Sequence, residues 1–200
     1  VYEGISPTGD WVHKDLNDDG QIDNLDRTVI GNGLPKVELG WGNNFTFGNW
    51  DANVFFRGVF GHDLINQMTG FYAVPNVIVT YNPNEKALDM KNENGTYLNT
   101  SDGKFSSLHV ENASYLKLDN MSIGYNFNMA GSEAFRKIRV YATANNVFVI
   151  TKYTGSDPEV RYTDNAEDNA NLNNPLAPGI DRRNTWFMAR SFSLGISLGF

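Results

Sequence analysis

The sequence predicts an all-β chain whose long antiparallel strands wall a transmembrane β-barrel. Three observations carry that prediction. Five segments alternate apolar and polar residues with period two, which is strand periodicity. Each runs about 10–15 residues, where about 9–11 tilted residues cross a bilayer core and strands of soluble proteins average about 5–6. The connections between them alternate short and long, as barrels with short periplasmic turns and long extracellular loops require. Composition agrees: glycine (19) and aromatics (13%) are plentiful while helix-favouring Ala, Leu, Glu and Lys are sparse, which leans towards β.

In chain order, Val1-Tyr2-Glu3-Gly4-Ile5 reads as the end of a strand, so the chain is expected to be a fragment whose N-terminal part is absent. In 36–48, Val37, Leu39, Trp41, Phe45 and Phe47 alternate with Lys36, Glu38, Gly40, Gly42, Asn44 and Thr46. A tight Gly48-Asn49 turn leads into 51–61, where Ala52, Val54, Phe56 and Phe60 alternate with Asp51, Asn53, Phe55, Arg57 and Gly61. In 115–127, Met121, Ile123, Tyr125 and Phe127 share a face, while Leu116 and Leu118 sit on the other parity. A bulge near Asp119 would produce that slip. In 137–150, Ile138, Val140, Ala142 and Ala144 alternate with Lys137, Arg139, Tyr141, Thr143 and Asn145. The closing segment 186–200 sets Trp186, Met188, Phe192, Leu194, Ile196, Leu198 and Phe200 against small or polar partners, with Arg190 the exception on the greasy face. The stretches 62–114 and 151–185 are expected to be long extracellular loops. The strands then descend to a periplasmic C-terminus. Val37, Leu39, Phe45, Phe56, Ile138, Val140, Leu194 and Ile196 are the positions expected to face lipid.

The chain carries a net charge of −7 and no cysteine. It therefore has no disulfide framework and no thiolate metal site, and without a basic stripe it is a poor nucleic-acid binder. Mean hydropathy is −0.41, which does not argue against a barrel, because alternation averages out. His13, His62 and His109 are scattered, with no Gly-x-Ser-x-Gly, His-Glu-x-x-His or phosphate loop. No enzymatic activity is expected.

The segment 12–28 holds the sharpest local motif, Asp15-Leu16-Asn17-Asp18-Asp19-Gly20-Gln21-Ile22-Asp23-Asn24-Leu25-Asp26. Counted from Asp15, side-chain oxygens fall at positions one, three, five, nine and twelve, with Gly20 at six and the Gln21 carbonyl available at seven. This EF-hand-like spacing wraps a hard cation, so Asp15, Asn17, Asp19, Gln21, Asp23 and Asp26 are candidate Ca2+ ligands. Asp26 replaces the usual Glu at twelve, and a shorter carboxylate reaches less easily. The alternative is an Asx-rich turn that presents acids to water. Phe200, closing an amphipathic strand with a free carboxylate, resembles the signal read by the barrel assembly machinery. Phe71, Tyr72 and Tyr81 in the first long loop are candidates for stacking on sugars or holding peptides, with loop packing the alternative.

Taken in order, Lys14–Asp23 with Asp26-Arg27-Thr28-Val29-Ile30-Gly31 and Pro35, then Ala113–Asn120, Ser122–Tyr125, Arg139–Phe148, Tyr153–Glu159 and the closing strand resemble the C-terminal signature blocks of SusC/RagA TonB-dependent transporters. The stretch Ile5–Gly9 is short for that pattern. The resemblance implies the C-terminal strands of a large plugged barrel of about 22 strands. It also implies a SusD-like surface lipoprotein, a TonB complex engaged through the absent N-terminal part, outer-membrane lipid around the wall, and uptake of glycans or peptides. A secreted calcium-binding β-sandwich adhesin or glycan-binding module is the rival from another class, and it predicts strands near half this length. A surface glycan hydrolase fragment is a weaker rival, which would need a carboxylate pair at a cleft.

Overall fold

The computed structural model describes residues 1–75, 82–99, 106–129, 136–160, 179–182 and 188–199. Its strands are β1 (Tyr2–Ile5), β2 (Trp11–His13), β3 (Val37–Phe47), β4 (Trp50–Phe60), β5 (Asp63–Asn66), β6 (Val110–Asn112), β7 (Tyr115–Asn128), β8 (Lys137–Thr151), β9 (Ile180–Asp181) and β10 (Ser191–Gly199). A short helix, α1, spans Gln67–Tyr72. No helix among the described residues is long and apolar enough to cross a membrane. The chain divides into two compact units, a wall and a lobe.

The wall is a five-stranded antiparallel sheet in the order β3-β4-β7-β8-β10. These are the five expected strands, adjacent in chain order, at 9 to 15 residues each. Register explains why alternation marked them. One row across the sheet reads Phe45, Ala52, Ile123, Ala142, Leu194, and the next towards the short turns reads Phe47, Trp50, Tyr125, Val140, Ile196. The opposite face reads Asn44, Asn53, Ser122, Thr143, Ser193. All eight positions expected to face lipid share the apolar face. That face is open: Leu194 is 87% exposed, Phe47 85% and Phe192 71%. Asn43, opposite Val54, is the polar residue that breaks the apolar face on β3.

The slip near Asp119 is a bulge. Phe55 pairs with Asn120 and Phe56 with Leu118, so Asp119 has no counterpart on β4. Towards β8 the register jumps from Leu118↔Phe148 to Asn120↔Asn145, and Asn146 turns through a φ of 51°. The extra residue returns Leu116 and Leu118 to the apolar face. The β3–β4 hairpin closes with Gly48 at φ 56°, the residue and place a two-residue II′ turn asks for.

The lobe gathers Val1–Pro35, Gly61–Ala113 and Tyr153–Trp186. Here the structure differs from the sequence reading in three ways. First, β1 pairs with β2 in a hairpin of the lobe and not with the wall. Second, the stretch 62–114 carries structure of its own. Its β5 pairs antiparallel with β6 and parallel with β9. One apolar cluster is Ala73, Val74, Met90 and Leu98, joined by Ile5, Trp11 and Leu108, and a second is Leu64, Ala113 and Tyr153. These apolar residues are spaced irregularly, so no period announced them. Third, the last strand begins at Ser191, which leaves Arg190 outside it and removes the one charge from the greasy face. Tyr81 and Phe200 lie outside the described residues.

Candidate functional site

The acidic segment folds as a chain of Asx turns. Asn17 Oδ1 accepts from the Asp19 amide at 3.2 Å, Asp19 Oδ1 from the Gln21 amide at 2.8 Å, and Asp23 Oδ1 from the Leu25 amide at 2.7 Å. Positive φ at Asp18 (59°) and Gly20 (82°) curls the segment back, and Asp15 Oδ2 accepts from the Gly20 amide at 2.7 Å. Asp26 is buried and ties the two ends together. Its Oδ2 accepts from the Asp23 amide at 2.8 Å and its Oδ1 from the Leu16 amide at 2.7 Å. These two amides hold the Asp26 carboxyl below the usual carboxylate range. Asp15 Oδ1 is buried without a hydrogen-bond donor, and the Asp15 side chain also reaches the Asp26 carboxylate. The structure thus brings Asp15 and Asp26 together, while Asn17, Asp19 and Asp23 spend oxygens on local amides. Among the described residues, no group of three or more acidic or histidine side chains is gathered as a metal-holding set.

Phe71 and Tyr72 end α1. Their rings meet edge to face at 5.0 Å, and both are half-buried. The Tyr72 carbonyl accepts from the Asn84 amide at 2.7 Å, which anchors the following stretch.

The sequence reading passed over a polar knot in the lobe. Glu111 accepts from Lys86 Nζ at 3.0 Å, from Asn66 Nδ2 at 3.0 Å, and from the Thr154 amide at 2.9 Å. Burial pushes the Glu111 carboxyl up, but the Thr154 hydroxyl and amide, Lys86 and Asn66 outweigh it, and the net shift is downward. Tyr153 donates to Asp181 Oδ2 at 2.6 Å, and burial with this acid at hand raises its phenol. These partners come from stretches far apart in sequence, so no local motif flagged them.

The polar face of the wall carries paired charges. Arg139 donates through Nη2 and Nε to Asp51 at 2.5 and 3.0 Å, and Asn126 adds a donor at 2.7 Å. Arg57 Nε lies 2.7 Å from Asp119, the bulge residue, and Lys117 Nζ lies 3.4 Å from it. Asn120 donates to Asn145 at 2.7 Å, and Asn53 to Asn44 at 2.6 Å. The result is a face of amides, hydroxyls and neutralised charges, suited to water and polar ligands. The shared polar-face parity of Asp51, Arg57, Lys117 and Arg139 was the signal that could have found it.

No protein-family model matches the chain. Its whole length aligns with TonB-dependent receptor P3 of Formosa agariphila at 25% identity, covering 20% of that protein. TonB-dependent receptor P39 of the same organism is 29% identical over 86% of this chain and 17% of the relative. TonB-dependent receptor SusC of Bacteroides thetaiotaomicron is 27% identical over all of this chain and 18% of the relative. The chain therefore spans about a fifth of the length of the curated relatives it matches. Among solved structures, the RagAB peptide importer matches with a TM-score of 0.72 in both its closed-closed and open-open states. The identities are 22% and 23%, and each match covers all of this chain and 22% of the other. These structural matches speak for the fold. The relatives are named as receptors and importers, not as enzymes. Its sequence relatives and its fold agree: the chain is similar in sequence to TonB-dependent receptors, SusC among them, and shares the fold of the RagAB peptide importer.

Proposed function

We propose that the chain forms wall and loop lobe of an outer-membrane TonB-dependent importer that takes up glycans or peptides together with a SusD-like surface lipoprotein. The observation that carries this reading is the open apolar face of the wall. From the Phe47–Trp50 row to the Val37–Phe60 row, β3 advances ten residues, about 33 Å at about 3.3 Å each. Tilted by about 40°, that length covers the apolar band of about 25 Å found on outer-membrane barrels. Trp50, Tyr125 and Phe127 cluster beside the short turn, with ring centroids 4.9 and 4.7 Å apart. Aromatics of this kind sit at the headgroup level of membrane proteins. A β-sandwich would need a second sheet within the same unit, and the described strands of the wall form a single sheet.

In this reading the short turns and the C-terminus are periplasmic and the lobe is extracellular. TonB acts through parts of the protein outside this chain. The barrel assembly machinery reads the terminal strand and Phe200. Phe71 and Tyr72 lie on the side from which cargo enters, and Tyr81 is a further candidate for holding it. The acidic segment suits calcium by donor chemistry, with Asp15, Asn17, Asp19, Asp23, Asp26 and the Gln21 carbonyl as its oxygens, once Asn17, Asp19 and Asp23 turn inward. The buried Oδ1 of Asp15, without a donor, is the feature that supports this. The test of the importer reading uses the full-length protein in its own bacterium. Uptake of fluorescent glycan and peptide mixtures should require both this protein and TonB. Uptake that persists without either removes the importer reading.

A further inference from the structure

On the polar face of the wall, long side chains lie flat over glycines of the neighbouring strands. A Cβ placed on Gly195 of β10 would come within 2.5 Å of the hydroxyl of Tyr141 on β8. One on Gly124 of β7 would come within 2.6 Å of Nη2 and 2.7 Å of Nε of Arg139. One on Gly42 or Gly40 of β3 would meet the ring of Phe55 at 3.5 or 3.4 Å. Arg139 crosses Gly124 on its way to Asp51, two strands away. Its guanidinium also lies 4.8 Å from the centroid of the Tyr141 ring. Side chains on a strand otherwise stand roughly perpendicular to the sheet. The central row of this face is short throughout: Asn44, Asn53, Ser122, Thr143 and Ser193. Tyr141, Arg139 and Phe55 thus lie low in slots of this face, beside a central row of short side chains.

We infer that Gly195 and Gly124 set the bore of the passage by giving Tyr141 and Arg139 a place to lie against the wall. They are specificity-determining positions for cargo cross-section, though neither needs to touch cargo. The inference rests on reading this face as the wall of the transport lumen. A ring laid over a glycine can also serve strand register alone, and that bland role leaves the bore unchanged.

The test uses the full-length protein in the outer membrane, with Ser193→Cys as a reporter two residues from Gly195. A series of thiol reagents of increasing size gives the largest one that still reacts. Gly195→Ala should lift Tyr141 and lower that limit, with loss of the bulkier reagents while the smallest still reacts. Adding Tyr141→Ser should restore the parent limit. An unchanged limit in Gly195→Ala, with the barrel assembled, overturns the inference. If Gly195→Ala does not assemble, Tyr141→Ser alone decides. It should leave the limit as in the parent, since the ring already lies flat, and a widened limit overturns the inference. Exclusion of every reagent from the parent reporter also overturns it, because the face would then line no passage. None of these readouts depends on TonB-driven uptake, so the importer reading fails or survives separately.

Discussion

Asp26 closes the acidic segment by accepting from amides at both of its ends. Calcium should add stability once Asn17, Asp19 and Asp23 turn towards it. At a hundred times its dissociation constant, a bound ion contributes about 2.7 kcal/mol to the folded state. Calcium titration of the full-length protein should raise its melting temperature, and Asp15→Asn should abolish the rise. A melting temperature indifferent to calcium would mean that the Asx turns alone shape the segment. Glu111 sets a second expectation, on pH. Its folded carboxyl lies below its ordinary value. Its charged form therefore stabilises the lobe above the unfolded value of about 4.3 and loses that contribution as pH falls through the folded one. Asp26, also depressed, acts in the same direction. Glu111→Gln should cost about 1–3 kcal/mol and flatten the acid limb. Exchange of the Thr154 amide, which donates to Glu111, is the local readout. The Asx spacing could be read from the sequence because its members lie within twelve residues. Glu111 and Thr154 meet across 43 residues, and nothing local marks such a pair.

At the scale of the element, the bulge at Asp119 decides which face the upper half of β7 presents. Deleting Asp119 would carry Lys117 to the apolar face and Leu116 and Leu118 to the polar one, since a one-residue slip inverts a strand. That deletion should abolish the heat-modifiable gel shift of the assembled barrel. A milder comparison uses β10. Phe192 lies in the row of Val54, Met121 and Ala144, near mid-height. Phe192→Lys should destabilise the barrel by about 2–4 kcal/mol, while Ser193→Thr on the polar face should change little. Equal effects at the two positions would contradict the assignment of faces. The wall could be read from the sequence because alternation over most of strands 9 to 15 residues long suits a long two-faced strand and little else. The parity slip even located the bulge. The lobe could not, because β5, β6 and β9 are two to four residues long and pair across distant stretches. A pattern that short has no period to detect.

Taken as a whole molecule, the described wall has two outer edges, β3 and β10, without strand partners. Unpaired backbone groups cost several kcal/mol each where no water reaches them. The chain of 200 residues alone should therefore not remain monomeric in buffer. Sedimentation should show association or a requirement for detergent, and a stable monomer without detergent would contradict the membrane wall. The pairing of Ile65 with Ile180 has a different consequence, for the order of folding events. Two wall hairpins, β3–β4 and β7–β8, join stretches adjacent in sequence, and such closures are fast. The lobe joins stretches as far apart as Ile65 and Ile180. Loop-closure entropy delays contacts of that kind. The lobe thus closes after the β3–β4 and β7–β8 hairpins, in step with the long-range β4–β7 and β8–β10 pairings of the wall.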